Sequence, residues 1–173
     1  SNSVKWTSPV WRGVQIEGMY ALGGVAGAQA SGQTYSAAGS YTFGPARLAA
    51  GYLHIDNGNA RAATRPSSTT DFFFVSAVNR AYASAKSIDI YRAGGRYTLG
   101  NVTLGGYYSQ SYYNADAAST FRTTQRYDSY GAYAVWQISP ALAAQTGYDY
   151  LNPSGDSSAH YHQVSAAVDY SLS

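Results

Sequence analysis

Apolar and polar side chains alternate along most of this chain, and this alternation constrains the fold more than any other feature. The last run is a clear example, in which every second residue is apolar or small: Val164, Ala166, Val168, Tyr170 and Leu172. Successive side chains of a β-strand point to opposite faces, so a period of two residues predicts a strand with one apolar and one polar face. Nine runs show this pattern, at residues 2–7, 13–22, 34–43, 46–55, 87–99, 102–112, 125–138, 141–151 and 160–173. The sequence therefore predicts an all-β protein of about nine strands.

One of these runs does not divide cleanly into two faces. In residues 46–55, Leu53 and Ile55 fall on the same side as Arg47, whereas Leu48 and Tyr52 fall on the other. We therefore leave the facing of this strand open.

The connections between the runs alternate between short and long. The short ones are built on Pro or Gly, which fit tight turns, and have the sequences SPVWRG, FGPA, LGN and ISPA. The long ones span residues 23–33, 57–86, 113–124 and 152–159. If consecutive strands pair as an antiparallel up-and-down meander, all short turns lie at one edge of the sheet and all long loops at the other.

This sorting of loop lengths favours a transmembrane β-barrel over a soluble sandwich, in which loops have no reason to sort by edge. The runs are long for a globular sheet, whose strands average about five or six residues. No stretch of 18 apolar residues occurs and the mean hydropathy is −0.28, which argues against a helical membrane protein. Aromatic residues cluster near strand ends, as interfacial girdles require, although aromatic residues also favour strands in general: Trp6, Tyr20, Tyr41, Tyr97, Trp136, Tyr148, Tyr150 and Tyr170.

Three segments together carry a resemblance to a known family: NSVKWTSPVWRG at residues 2–13, YDSYGAYAVWQISPALAAQTGYDY at 127–150 and HQVSAAVDYSLS at 162–173. They resemble the general-diffusion porins of Gram-negative bacteria, in particular the β-proteobacterial type. The resemblance runs along the whole chain, but each motif alone is short and mostly structural. It implies a location in the outer membrane, a sixteen-stranded barrel, assembly as a homotrimer, and a constriction where an inward-folded loop with carboxylates faces basic residues on the wall.

We expect residues 1–173 to be a single partial barrel domain that lacks the N-terminal strands, the constriction loop and the C-terminal strands. The strand count supports this expectation independently, because bacterial single-chain barrels have even numbers of strands and an open sheet leaves unpaired backbone groups in lipid. The apolar face would then contact outer-membrane lipid, and the polar face would line a lumen.

The implied function is a water-filled channel for passive diffusion of small hydrophilic solutes and ions. Seven charged residues share the lumen side and are our pore-lining candidates: Lys5, Glu17, Arg47, Arg92, Arg96, Asp149 and Asp169. Arg92 and Arg96 are four residues apart on one strand, about 13 Å between Cα atoms, and such a ladder would favour anions. The alternative is that these charges only hydrate the wall and pair across strands, which we prefer for Lys5 and Arg47 and leave open for Arg92 and Arg96.

Other chemistries find little support in the sequence. A net charge of +2, with 12% charged residues, gives no basic face for nucleic acid. There is no cysteine, no nucleophile–base spacing and no phosphate-binding motif, so we expect neither an enzyme nor a cofactor. His160 and His162 lie two residues apart but have no evident third ligand, so we expect no metal site.

Two questions stay open. A different class of function is an outer-membrane adhesin or ligand-binding barrel that acts through its extracellular loops. The long connection at residues 57–86 contains DFFFVSAVNRAYASA, which is apolar enough to form a short helix, to pack over the barrel mouth or to contact a neighbouring subunit.

Overall fold

The computed structural model describes residues 3–23, 27–28, 31–58 and 77–171. Within them the chain forms one antiparallel sheet of nine strands in which each strand pairs with the next along the chain. The strands are β1 Ser3–Thr7, β2 Val14–Ala21, β3 Thr34–Phe43, β4 Ala46–Asp56, β5 Ser87–Leu99, β6 Val102–Asn114, β7 Gln125–Ser139, β8 Leu142–Ser154 and β9 Tyr161–Tyr170. The predicted all-β meander of about nine strands is confirmed. Residues 2, 172 and 173 of the predicted first and last strands lie outside the described residues.

The meander places all short turns at one edge of the sheet and all long connections at the other, and we call these the short-turn edge and the long-loop edge. Gly13, Gly44 and Gly100 at the short-turn edge have φ values of +87°, +52° and +58°, which favour glycine. Gly13 has a second reason to lack a side chain, because a Cβ there would overlap the carbonyl oxygen of Thr42. Among the described residues, no helix has the length and apolar character needed to cross a membrane.

The register keeps apolar residues on one face across all nine strands. Val4 pairs with Tyr20, Tyr20 with Tyr35, and the same parity continues to the last pair of strands, where Ala144 faces Val168. These side chains are not covered by any other part of the described chain: Val164 is 77% exposed, Val168 69% and Trp136 51%. The sheet therefore presents a continuous, uncovered apolar face.

The buried cluster of the protein lies on the opposite, polar face, at the long-loop edge. Residues 77–86, which we call the inner segment, begin with the short helix α1 Ala77–Arg80 and pack Tyr82, Ala83 and Ala85 against strand residues. The strand residues in this cluster are Ile55, Ile88, Ile90, Tyr113, Tyr127 and Leu151, together with Phe121 from the next long connection. All but Phe121 belong to the parity of the polar face.

The inner segment explains why residues 46–55 do not divide cleanly into two faces. Leu53 and Ile55 share the parity of Arg47, opposite Ile90 and Ile88 of β5, where apolar side chains near the long-loop edge meet the inner segment. Of the three possibilities for residues 57–86, the short helix is found, and residues 77–86 pack against the polar face at the long-loop edge; packing over a barrel mouth and contact with a neighbouring subunit stay predictions. Residues 59–76 lie outside the described residues.

Candidate functional site

Three arginines come together on the polar face of β4 and β5. Arg47 and Arg96 are direct cross-strand partners, and Arg92 lies four residues from Arg96 on the same strand, opposite Gly51 of β4 and Ser109 of β6. Directly opposite residues have Cα atoms about 4.5–5.5 Å apart. All three arginines line a concavity of about 300 Å³ together with Tyr107 and Tyr133.

The three arginines create a positive patch on this face. All three are exposed, and none of them forms an ion pair with another residue in the part of the chain that the structure describes. Like charges placed directly across two strands destabilise the sheet. The Arg47–Arg96 pair is therefore not explained by the stability of the sheet, and its field acts on whatever occupies the space above it.

Arg92 is held by an aromatic ring that is itself anchored. Its guanidinium carbon lies 4.1 Å from the centre of the Tyr107 ring, within the range of a cation–π contact. The Tyr107 hydroxyl donates a hydrogen bond of 2.5 Å to Oδ1 of Asp149. Tyr107 lies on β6 and Asp149 on β8, so this bond passes over β7. This Arg92–Tyr107–Asp149 arrangement fixes a cation and a carboxylate on the same face.

Glycines on the neighbouring strands let two tyrosine rings lie along the polar face. Tyr107 pairs with glycine on both sides, at Gly94 of β5 and Gly131 of β7. A Cβ on Gly131 would overlap the Tyr107 ring. Tyr133 repeats the pattern, because it pairs with Gly105 and Gly147, and a Cβ on Gly105 would overlap its ring.

All seven pore-lining candidates share the parity of the polar face, but the structure divides them into separate groups. Lys5 and Glu17 form an exposed ion pair with an N–O distance of 3.8 Å. Asp149 is linked to Arg92 through Tyr107, and Asp169 accepts a hydrogen bond of 3.1 Å from Gln145. Glu17 also lines a second concavity, of about 390 Å³, together with Arg47 and Arg92.

Sequence reasoning missed two carboxylates that share the parity of the apolar face near the long-loop edge, of which Asp89 is partly buried and Asp128 is buried. Asp89 accepts hydrogen bonds from Tyr52 and Asn114 and contacts the His54 ring at 2.7 Å. Asp128 is 2% exposed and accepts bonds from Tyr108, Gln110 and Arg126, at 2.6, 3.0 and 2.6 Å. The sequence does contain a signal for these carboxylates. On the parity of the apolar face, polar residues replace apolar ones at the long-loop ends of β4 to β7, next to tyrosines. The change marks the level at which the apolar face ends.

The long connections are tied to one another at the long-loop edge. Asp156 accepts a hydrogen bond of 2.8 Å from the backbone N–H of Arg122 and one of 2.7 Å from the Thr123 hydroxyl, and these bonds hold the pKa of its carboxyl below the usual range. Tyr82 of the inner segment contacts the hydroxyl of Tyr127 at 3.2 Å, and burial raises the pKa of Tyr82. The polar face thus has an ordered margin where the long loops meet.

The two histidines share the parity of the apolar face at the same edge, and each contacts a tyrosine. Nδ1 of His162 lies 2.7 Å from the Tyr148 hydroxyl, and Nδ1 of His160 lies 3.0 Å from the Tyr150 hydroxyl. In the described ranges, no three His, Asp or Glu side chains are grouped in a way that would hold a metal ion.

Comparison with known proteins gives one family. A model described as Gram-negative porin matches residues 1–173. No curated protein matches the chain.

Solved structures share the fold. The anion-selective porin from Comamonas acidovorans aligns with a TM-score of 0.75 and 16% identity, over 99% of this chain and 44% of that chain. A porin refined at 1.8 Å aligns with a TM-score of 0.68 and 15% identity, over 98% and 51%. OmpT, an outer membrane protein of Vibrio cholerae, aligns with a TM-score of 0.68 and 15% identity, over 99% of this chain and 50% of that chain. The chain thus spans about half the length of these porins, and neither the family nor the structures support the adhesin alternative.

Proposed function

Because this chain belongs to the Gram-negative porin family, we propose that it forms part of the wall of a water-filled channel through which small hydrophilic solutes and ions diffuse passively. As a member of that family the chain is an outer-membrane protein. The family and the fold are those of channels that carry out no covalent chemistry, and we propose that this protein is likewise no enzyme.

One observation carries the proposal: the sheet has an uncovered apolar face and an opposite polar face across all nine strands. Exposed side chains such as Val4 and Val164, at 75% and 77%, are costly in water but match hydrocarbon. On β9 the apolar face runs from His162 to Tyr170, eight steps of about 3.4 Å or about 27 Å along the strand, which a tilt of about 40° reduces to a height of about 20 Å. This height is close to the apolar band of about 25 Å in outer-membrane barrels.

The same geometry supports a complete barrel. The outer edges of β1 and β9 do not pair with any strand in the described residues. Unpaired backbone groups cost several kcal/mol each in lipid, which favours further strands that close the sheet. We propose that residues 1–173 are a partial barrel domain of a sixteen-stranded, homotrimeric porin, with the lipid of the outer membrane against the apolar face.

We further propose that the channel prefers anions, because Arg47, Arg92 and Arg96 form a patch that the described residues leave without ion pairs. This assigns Arg47 to the functional wall, although the sequence favoured simple hydration for that residue. Lys5 is different, because its charge is largely offset by Glu17 at 3.8 Å. The anion preference rests on these side chains of this chain, since the Comamonas porin is only 16% identical and supports the fold alone.

The test is the reversal potential of the full-length protein in planar lipid bilayers under a KCl gradient, before and after Arg92→Ser and Arg96→Ser are introduced together. A unit charge about 8 Å from a permeating ion contributes about 0.5 kcal/mol in water, which favours an anion about twofold and disfavours a cation by the same factor, so one charge changes the anion-to-cation ratio about sixfold. Removing both should lower the anion-to-cation permeability ratio by up to about thirtyfold at low salt, and much less at 1 M, where charges are screened within about 3 Å.

The matched control is Arg12→Ser, which removes the same charge from a turn at the short-turn edge. We expect it to change the ratio much less than the double variant. Absence of conductance would contradict the proposed channel. A conducting channel whose reversal potential is unchanged in the double variant would contradict only the role of Arg92 and Arg96 in anion selectivity.

A further inference from the structure

The concavity beside Arg96 combines free cations with a flat aromatic ring, and the channel proposal does not by itself explain this combination. Tyr133 is 39% exposed and pairs across strands with Gly105, which is also the partner of Arg96 on its other side. The Tyr133 ring lies over this glycine, next to the strand position of Arg96. Arg47 lies beside Arg96 and lines the same concavity of about 300 Å³.

The second tyrosine of the concavity, Tyr107, already has partners for both its ring and its hydroxyl. The face of Tyr107 is covered by the guanidinium of Arg92, and its hydroxyl is bonded to Asp149. For Tyr133, by contrast, no hydrogen bond or ring contact is found among the residues that the structure describes. The available groups are thus one phenol ring lying on the wall and the two guanidinium groups of Arg47 and Arg96.

From this arrangement we propose that the wall carries a transient binding site for aryl carboxylates, in which the ring of the solute stacks on Tyr133 and its carboxylate bonds to Arg96 and Arg47. The inference rests on the proposed channel function and names a class of solute for it. Planar guanidinium groups match carboxylate geometry with two parallel N–H donors, and aromatic rings attract one another beyond the area that they bury.

The dimensions of the concavity agree with such a solute. A closed cavity of about 150 Å³ is enough for benzene, so the volume of about 300 Å³ here leaves room for a benzene ring and a carboxylate together. The site is open to the lumen, so residence would be brief. Brief residence suits a pore, because a solute that binds tightly does not leave.

The experiment compares benzoate with cyclohexanecarboxylate on the full-length protein in planar bilayers. The two acids carry the same charge on rings of similar size, but only benzoate is planar and aromatic. Each acid is added to one side while the chloride current is recorded, and its half-blocking concentration is normalised to the chloride conductance of the same variant. We expect benzoate to block at a concentration about 3- to 10-fold lower than that of cyclohexanecarboxylate.

Variants separate the ring from the charge. Tyr133→Leu should bring the ratio of the two half-blocking concentrations to about one, and Tyr133→Phe, which keeps the ring, should restore it. Arg96→Gln should weaken block by both acids by a similar factor, because the carboxylate is common to them.

The outcomes distinguish this inference from the channel proposal. A wild-type channel that conducts chloride but is blocked equally by both acids overturns the aryl site and leaves the channel intact, and this comparison needs no variant to fold. A benzoate preference that survives Tyr133→Leu also overturns it. Absence of conductance overturns the proposed function and, with it, the site that rests on it.

Discussion

Replacing Val168 with arginine tests directly which face of the sheet meets hydrocarbon. Val168 is 69% exposed on the apolar face of β9 and pairs with Ala144. His162 and Tyr170 stand near the two limits of this face, so Ala166 lies at its middle. Val168 is two residues from that middle, or about 5 Å in depth at 3.4 Å per residue and a tilt of about 40°. Arginine on the lipid face costs about 2–4 kcal/mol at the midplane and about 0–1 near the interfaces, so we expect about 2 kcal/mol at Val168.

A depth series and a neighbouring control sharpen the test. Ala166→Arg should cost about 3 kcal/mol of unfolding free energy, more than Val168→Arg. For Tyr170→Arg, the cost of placing arginine on the lipid face should be less than about 1 kcal/mol, because Tyr170 lies near the interface. Ala167→Arg is the control, because Ala167 is one residue away but on the polar face, opposite Gln145. Exposure to water in the lumen should limit its cost to about 0.5 kcal/mol.

The measurement is the free energy of unfolding of the full-length protein in lipid vesicles, from urea titrations followed by tryptophan fluorescence. Two results would refute the assignment of faces: a cost at Ala167→Arg equal to or above that at Val168→Arg, or costs along the apolar face that do not depend on depth. A uniform cost would mean that this face packs against protein rather than lipid.

Two further changes probe the wall and the loops. Gly131→Ala should destabilise the protein by about 1–3 kcal/mol in the same titration, since its Cβ would displace the Tyr107 ring. Gly39→Ala is the control and should cost little, because no atom lies closer than 3.9 Å to the position of its Cβ. Equal effects of the two variants would contradict the close approach of the Tyr107 ring to Gly131. The pKa of the Asp156 carboxyl is lowered, so its hydrogen bonds stabilise the loops at every pH above the ordinary value of 3.8 and are lost as the pH falls through the folded pKa. Hydrogen-exchange protection of the Arg122 amide should therefore persist down to about pH 3.8 and fall at lower pH. In Asp156→Asn, protection that still fell over that range would show that another group titrates.

The sequence predicts the strands well because two independent signals coincide. Residues 34–43 and 87–99 alternate with a period of two and are followed by turns containing Gly44 and Gly100, and the structure gives β3 and β5 the same bounds. A tight turn fixes the register of the two strands that it joins, so the parity of one strand carries over to the next. All seven charged candidates consequently share the parity of the polar face, and their role in lining a pore stays a prediction.

Contacts between distant strands were not predictable from the same signals. Tyr107 bonds to Asp149, 42 residues away, across a strand that contributes Gly131 between them. The alternation assigns Tyr107 to a face, but the direction of its ring depends on which neighbouring strand lacks a side chain. The inner segment is similar, because its apolar residues predict burial without naming the face against which they pack.

The position of the Tyr107 ring has a physical cause that links the wall to the proposed function. A lumen needs a wall whose side chains leave the centre open, yet strands favour large aromatic residues. Pairing Tyr107 and Tyr133 with glycine on both sides resolves this conflict, because each ring can lie along the sheet instead of standing on it. The Tyr107 ring then supports the Arg92 guanidinium directly, and Tyr133 lies across Gly105 from Arg96. Glycine positions on the polar face, compared with tyrosine positions on the adjacent strands, therefore indicate in the sequence where a tyrosine ring can lie along the wall, and we expect the selective part of the wall there.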